Sequence, residues 1–189
     1  MIDFEGDSIT EEWDLSGISG AVNYGVGGET PDGLSERWST VLARRPWCVH
    51  ILIGTNAVAN TTQMLASAAT ILSLAQQARA KGIKVVMCKI PPRDWDIGVF
   101  NNKMAENAAT YRFQLADHFT PLDLCLVPNQ YLFKGIPPYV RRPFPAAGQC
   151  NPHPNRAGHE AMTDAANQAI KALRARAATI SRETLWLSQ

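Results

Sequence analysis

The sequence has little of what marks several common classes of protein. Its four cysteines lie far apart and form no Cys-x-x-Cys pair, which disfavours both a zinc site and a disulfide scaffold. No apolar run approaches the roughly 20 residues that span a bilayer. Lysine and arginine total 18 against 17 acidic residues, a formal net charge of +1. No excess charge therefore favours nucleic acid or an anionic membrane as a partner.

What remains is typical of one globular domain. The chain has 189 residues, of which 46% are hydrophobic and 19% charged, enough to bury a core. It contains no internal repeat, low-complexity tract or linker. The first residues indicate a strand rather than the basic start of a signal peptide.

Short apolar runs alternate with longer amphipathic stretches. Strands are predicted at Met1–Glu5, Ile18–Tyr24, Trp47–Ile53, Ile83–Ile90 and Phe119–Leu126. Helices are predicted at Ser8–Leu15, Thr30–Arg44, Met64–Ala80, Asn101–His118 and Arg156–Ala178. This order predicts a three-layer α/β/α fold: a doubly wound, flavodoxin-like sheet of about five parallel strands with helices on both faces. The proline- and aromatic-rich segment Val127–Gln149 is expected to form an ordered flap.

The segment Gly6-Asp7-Ser8-Ile9-Thr10 stands between the first predicted strand and a helix. A serine there lies at the carboxyl edge of the sheet, where α/β proteins keep their sites, and helix amides favour negative charge nearby. Ser8 is therefore a candidate nucleophile. The alternative is that Ser8 to Glu11 form a capping box, in which Ser8 only closes the helix end.

Three later residues also follow strands or lie in loops: Gly28, Asn56 and His153. In an open α/β sheet such positions converge on one edge. Acyl transfer needs a nucleophile, a base and donors for an oxyanion. Ser8 and His153 can be the nucleophile and the base, and the donors can be the Ser8 and Gly28 amides and the Asn56 side chain. The other histidines, His50, His118 and His159, are expected to be packed or surface residues.

These segments resemble, in order, the sequence blocks of the SGNH/GDSL hydrolase superfamily. The blocks are Gly6-Asp7-Ser8, Asn23-x-Gly25-x-x-Gly28, Gly54-Thr55-Asn56, and His153-Pro154 with Gly158. The resemblance implies a serine esterase in which Ser8 forms an acyl-enzyme and needs no metal or organic cofactor. It also implies a small-molecule or carbohydrate ester as substrate, and the lack of a large insertion favours short acyl groups such as acetyl.

Two positions depart from the family pattern. Ala57 replaces the usual aspartate of the third block, and Cys150 stands where the family carries the aspartate that orients the histidine. A thiol with a pKa of about 8.5 is mostly neutral at pH 7 and cannot replace that charge. A backbone carbonyl near residues 149 to 151 could orient His153, leaving a Ser–His dyad. Otherwise the acid has been lost and activity reduced, or a carboxylate from elsewhere reaches His153.

Two other functions stay open at this point. The missing acid is compatible with a catalytically impaired member of the fold that binds a ligand or glycan. An acyltransferase would use the same residues with an alcohol in place of water.

Overall fold

The computed structural model describes residues 1–93, 96–122 and 153–186, with side chains as far as residue 179. Its centre is a five-stranded sheet in which every strand pairs in parallel with its neighbours. The strands are β1 (Ile2–Gly6), β2 (Ala21–Gly25), β3 (Cys48–Leu52), β4 (Lys84–Lys89) and β5 (Gln114–Asp117). Their order across the sheet is β2-β1-β3-β4-β5. This order confirms the flavodoxin-like, doubly wound prediction.

Helices cover both faces of this sheet. They are α1 (Ser8–Glu11), α2 (Pro31–Glu36), α3 (Trp38–Arg44), α4 (Thr61–Ala80), α5 (Gly98–Tyr111) and α6 (Arg156–Trp186). α2 packs on α4 and α4 on α5, while α6 packs on β4 and β5. Right-handed crossovers place α2 to α5 on one face and α1 with α6 on the other. No helix in the described ranges is long and apolar enough to cross a membrane.

The two faces of β1 carry different buried side chains, apolar on one face and acidic on the other. Phe4 faces α6 together with other apolar and aromatic side chains, whereas Asp3 and Glu5 face α2 and α3 and are fully buried. Arg44 forms ion pairs with both carboxylates. Buried charges persist where they are paired and hydrogen-bonded, so this network fastens α3 to β1.

The last strand does not lie where the sequence predicted it. The predicted helix Asn101–His118 ends at Tyr111, because Arg112 takes a left-handed conformation (φ 56°) and the Phe113 amide closes the last turn on Ala108. The chain then enters β5 at Gln114, where it pairs with β4. The predicted strand Phe119–Leu126 is wrong in its described part, since Thr120–Leu122 forms a 3-10 turn. The Asp117 carboxylate accepts hydrogen bonds from the amides that open this turn.

Two predicted helices are shorter in the structure. The helix predicted over Thr30–Arg44 is broken at Arg37, which separates α2 from α3 and whose guanidinium binds Glu5 and Glu29. The helix predicted from Ser8 to Leu15 is a single turn. Its cap is Asp7, whose side chain accepts from the Ile9 amide, so the capping-box interpretation of Ser8 is wrong.

Candidate active site

Ser8 and His153 meet at the carboxyl edge of the sheet. Ser8 is the first residue of α1, directly after β1, and His153 lies three residues before α6. The Ser8 Oγ and the His153 Nε2 are 2.8 Å apart, although 145 residues separate them in the chain. Asn155 fixes the start of α6 by accepting from the Gly158 amide. Both side chains are only partly buried, so a ligand can reach them.

Asp7 lies between the turn that carries Ser8 and the loop that carries Asn56. Its carboxylate is buried: the Oδ1 accepts the Ile9 amide, whereas the Oδ2 has no hydrogen-bond partner among the described residues. Burial raises the pKa of Asp7 from 3.8 to about 6, while the nearby backbone amides of Ile9, Thr55 and Gly54 and the Arg93 guanidinium pull it back. The residues that follow Asp7 and Thr55 are Ser8 and Asn56. The carboxylate therefore lies buried where these two strand ends meet, and its hydrogen bond to the Ile9 amide fixes the turn that carries Ser8.

Gly28 and Asn56 belong to two loops that touch each other. The Asn56 Nδ2 donates to the carbonyl oxygen of Glu29, next to Gly28, at 3.0 Å. Gly28 has φ +75°, a conformation that glycine adopts without strain, and the space where a Cβ would stand is open. The loop is also tied to β1, because the Val26 amide donates to the carbonyl of Gly6.

Gly25 allows the β2 end to lie directly against α1. A Cβ placed on Gly25 would meet the Glu11 amide nitrogen at 2.2 Å, and that atom belongs to backbone that cannot turn aside. The Asn23 side chain adds to this contact by donating to the Thr10 carbonyl at 2.6 Å. The second block of the sequence therefore packs on the helix that carries Ser8.

Arg37 supports the loop that contains Gly28 and Glu29. Its guanidinium binds the Glu29 carboxylate through two nitrogens, each at 2.6 Å, and also pairs with Glu5. Burial raises the pKa of Glu5, opposed by the charges of Arg37 and Arg44. Planar, two-point pairing of this kind fixes geometry as well as charge. Arg37 carries no sequence motif, and the prediction from sequence missed it.

Glu12 is a second residue that the sequence prediction missed. Its Oε1 lies 3.9 Å from the His153 Nε2, and its amide donates to the Ser8 carbonyl one helical turn away. The sequence could have indicated Glu12 through its position four residues after Ser8, because side chains at i and i+4 lie on the same face of a helix. Cys150, at the acid position, lies outside the described residues, as does the predicted flap Val127–Gln149.

A model of the GDSL-like lipase/acylhydrolase family matches residues 4–183, which includes all four blocks described above. The chain belongs to the GDSL-like lipase/acylhydrolase family. None of the curated proteins compared with it matches. The resemblance to GDSL hydrolases and the α/β fold predicted from sequence are both confirmed.

Solved structures of GDSL proteins share this fold at low sequence identity. A GDSL-like lipase from Bacteroides thetaiotaomicron superposes with a TM-score of 0.70 at 22% identity, over 91% of this chain and 88% of that chain. An acetylxylan esterase from Geobacillus stearothermophilus gives 0.66 at 20% identity, over 89% and 93%. A member of the lipolytic G-D-S-L family from Veillonella parvula gives 0.66 at 20% identity, over 88% and 96%.

Proposed function

We propose that this GDSL family member is a serine esterase that hydrolyses carboxylic esters with short acyl groups. The observation that carries the proposal is the 2.8 Å distance between the Ser8 Oγ and the His153 Nε2. At that distance a neutral imidazole can accept the hydroxyl proton as the oxygen attacks a carbonyl carbon.

The reaction proceeds in two halves. In the first, the Ser8 oxygen bonds to the ester carbonyl carbon and its proton moves to His153, which then protonates the departing alcohol. In the second, His153 takes a proton from water, and the resulting hydroxide releases the acid from the acyl-enzyme. Each half passes through a tetrahedral oxyanion.

Three donors stabilise this oxyanion: the Ser8 and Gly28 amides and the Asn56 side chain. The Asn56 Nδ2 has two hydrogens, and only one is needed for its bond to the Glu29 carbonyl. The second can turn toward the substrate. Each such donor typically contributes on the order of 100-fold or more in kcat.

Acetyl and similar short esters, on sugars or small alcohols, are the proposed substrate class. The four sequence blocks follow each other without a large inserted lid domain. The acetylxylan esterase with the same fold is one example of such a specificity in another protein.

The test is hydrolysis of p-nitrophenyl esters from acetyl to palmitoyl. We expect the wild type to turn over the short esters and Ser8→Ala to lose activity at least about 1,000-fold. Ser39→Ala, which changes an exposed serine on α3, is the matched control and keeps full activity. Activity that survives in Ser8→Ala contradicts the proposal.

A Cys150→Asp variant measures what the acid position contributes. If the missing carboxylate limits the base, this variant hydrolyses acetyl esters faster than the wild type. If the wild type matches Ser8→Ala on every ester while Cys150→Asp gains activity, the native chain has lost its acid and is not an efficient esterase.

A further inference from the structure

A second group of reactive side chains lies in the interior of the protein, between the sheet and the helices on its Phe4 face. It consists of His50 on β3, Cys88 on β4 and His118 just after β5. Their side chains share one face of the sheet and are at most 1% exposed. No short motif in the sequence indicates this group, because its members are 30 residues or more apart.

The donor atoms of the three side chains converge. The His50 Nε2 lies 3.1 Å from the His118 Nε2 and 3.2 Å from the Cys88 Sγ. All three candidate ligand atoms lie within 4.8 Å of one another. The two Nε2 atoms can share one hydrogen bond, and the Cys88 thiol competes with His118 for the same nitrogen of His50.

We propose that His50, Cys88 and His118 form a three-coordinate site for monovalent copper. Metal bonds of about 2.0 Å to nitrogen and 2.3 Å to sulfur put donor atoms roughly 3.2–3.9 Å apart. The two distances from the His50 Nε2 are at or just below this range, and all three donors lie within 4.8 Å of one another. Because the Cys88 Sγ also lies 3.7 Å from the His50 Nδ1, beside the ring, the imidazole has to turn for one ion to meet all three donors. Two imidazoles and a thiolate are ligands that soft copper prefers.

The charge and surroundings of the site select monovalent copper over zinc. As the metal–sulfur bond forms, Cys88 gives its proton to solvent, and a +1 ion with one thiolate is neutral overall. Zn²⁺ would leave a net positive charge in a buried site, which is costly without a further anion. Structural zinc is also almost always four-coordinate. Among the described residues no fourth histidine, cysteine or carboxylate joins the group.

Aromatic rings pack against both histidines of the group. Phe4 stacks on His50 with ring centroids 4.4 Å apart, and Trp13 meets the edges of His50 and His118 at 5.7 and 5.3 Å. This packing keeps water away from the ion. It also means that the metal enters while the protein opens or folds, and that it leaves slowly once bound.

The test is an anaerobic titration in which bicinchoninate competes with the protein for monovalent copper. The protein carries Cys48→Ala, Cys125→Ser and Cys150→Ser, so that Cys88 is the one remaining thiol, and it is refolded with the metal. We expect one copper per chain that survives desalting. Adding Cys88→Ala or His118→Gln abolishes this retention, whereas adding Ser8→Ala leaves it unchanged, so the result does not depend on esterase activity.

X-ray absorption of the copper-loaded wild type keeps the proposal testable if those variants fail to fold. We expect a three-coordinate ion with one sulfur and two imidazole nitrogens. The proposal is overturned if no copper is retained after refolding, if retention persists without Cys88, or if the protein retains zinc but not copper.

Discussion

The buried carboxylate of Asp7 makes the stability of the protein depend on pH. Burial is the largest influence on its pKa, which rises from 3.8 to about 6 in the folded chain. The folded state therefore holds this proton more tightly than the unfolded state does. The stabilisation is full below pH 4 and is lost as the pH rises through 6.

We expect Asp7→Asn to remove this pH dependence, because the amide does not titrate. Between pH 4 and pH 7 the wild type should lose about 2 kcal/mol of unfolding free energy that the variant does not lose. Urea unfolding of both proteins at the two pH values measures the difference. Asp164→Asn, which changes an exposed carboxylate on α6, serves as the control and should follow the wild type.

Glu12 places a negative charge near the proposed base. At 3.9 Å from the His153 Nε2, its carboxylate would stabilise the imidazolium of the proposed mechanism. It is partly exposed, so the effect is small and screened by salt. It does not take the place of an aspartate on the Nδ1 side, since it approaches the nitrogen that faces Ser8.

Glu12→Gln should lower kcat/KM for acetyl esters roughly 2- to 5-fold at low salt, and less at high salt. Steady-state kinetics at two ionic strengths measures this. Glu11→Gln, one residue earlier on the same turn, is the matched control. An equal loss in both variants would mean that the negative charge of this turn matters, and not the position of Glu12 beside His153.

At the scale of elements, the loop between β2 and α2 is held by a buried ion network rather than by its own sequence. Arg37 ties Glu29 of this loop to Glu5 of β1. Glu5 is fully buried and about a quarter of the Arg37 side chain is exposed. Removing Arg37 leaves a buried carboxylate with fewer partners, which is far more costly than losing a surface pair.

Arg37→Met should lower the unfolding free energy by roughly 2–4 kcal/mol and also reduce kcat/KM, because the Gly28 loop loses its support. Urea unfolding and ester kinetics test both effects. Lys103→Met removes the exposed pair with Glu106 and should cost less than about 1 kcal/mol. A similar small loss in Arg37→Met would show that the network does not hold the loop.

The elements differ in how well the sequence predicted them. The continuous apolar runs of β3 and β4 are buried on both faces, so their positions were confirmed to within about two residues. β5 is short and carries Gln114 and Asp117, so its pattern was weaker than that of the apolar residues after it. Its place is fixed by pairing with β4, which local pattern does not reveal.

At the scale of the whole molecule, the two ends of the chain pack together to bring Ser8 and His153 within reach. Trp13 contributes most visibly: it lies 3% exposed between Phe4 and α6, and its Nε1 donates to the Thr163 Oγ1 at 3.1 Å. This packing of α6 on the sheet helps to hold His153, three residues before that helix, next to Ser8.

Trp13→Ala should lower the unfolding free energy by roughly 3–5 kcal/mol, because it leaves a large cavity between the sheet and α6. Trp13→Phe keeps most of the ring and loses the hydrogen bond, so it should cost nearer to 1–2 kcal/mol. Thermal and urea unfolding compare the two. Equal losses would assign the stability to the hydrogen bond rather than to packing.

The sequence by itself determined the fold class, the order of the four family blocks, and Ser8 and His153 as candidate nucleophile and base. These follow from local periodicity and from residues that stand next to each other in the chain. Only the tertiary structure shows that Asp7, Glu12 and Arg37 lie around the site. It alone also shows that His50 and His118 lie next to Cys88. Such groups come together only when parallel strands and their crossover helices pack, so no short pattern in the sequence records them.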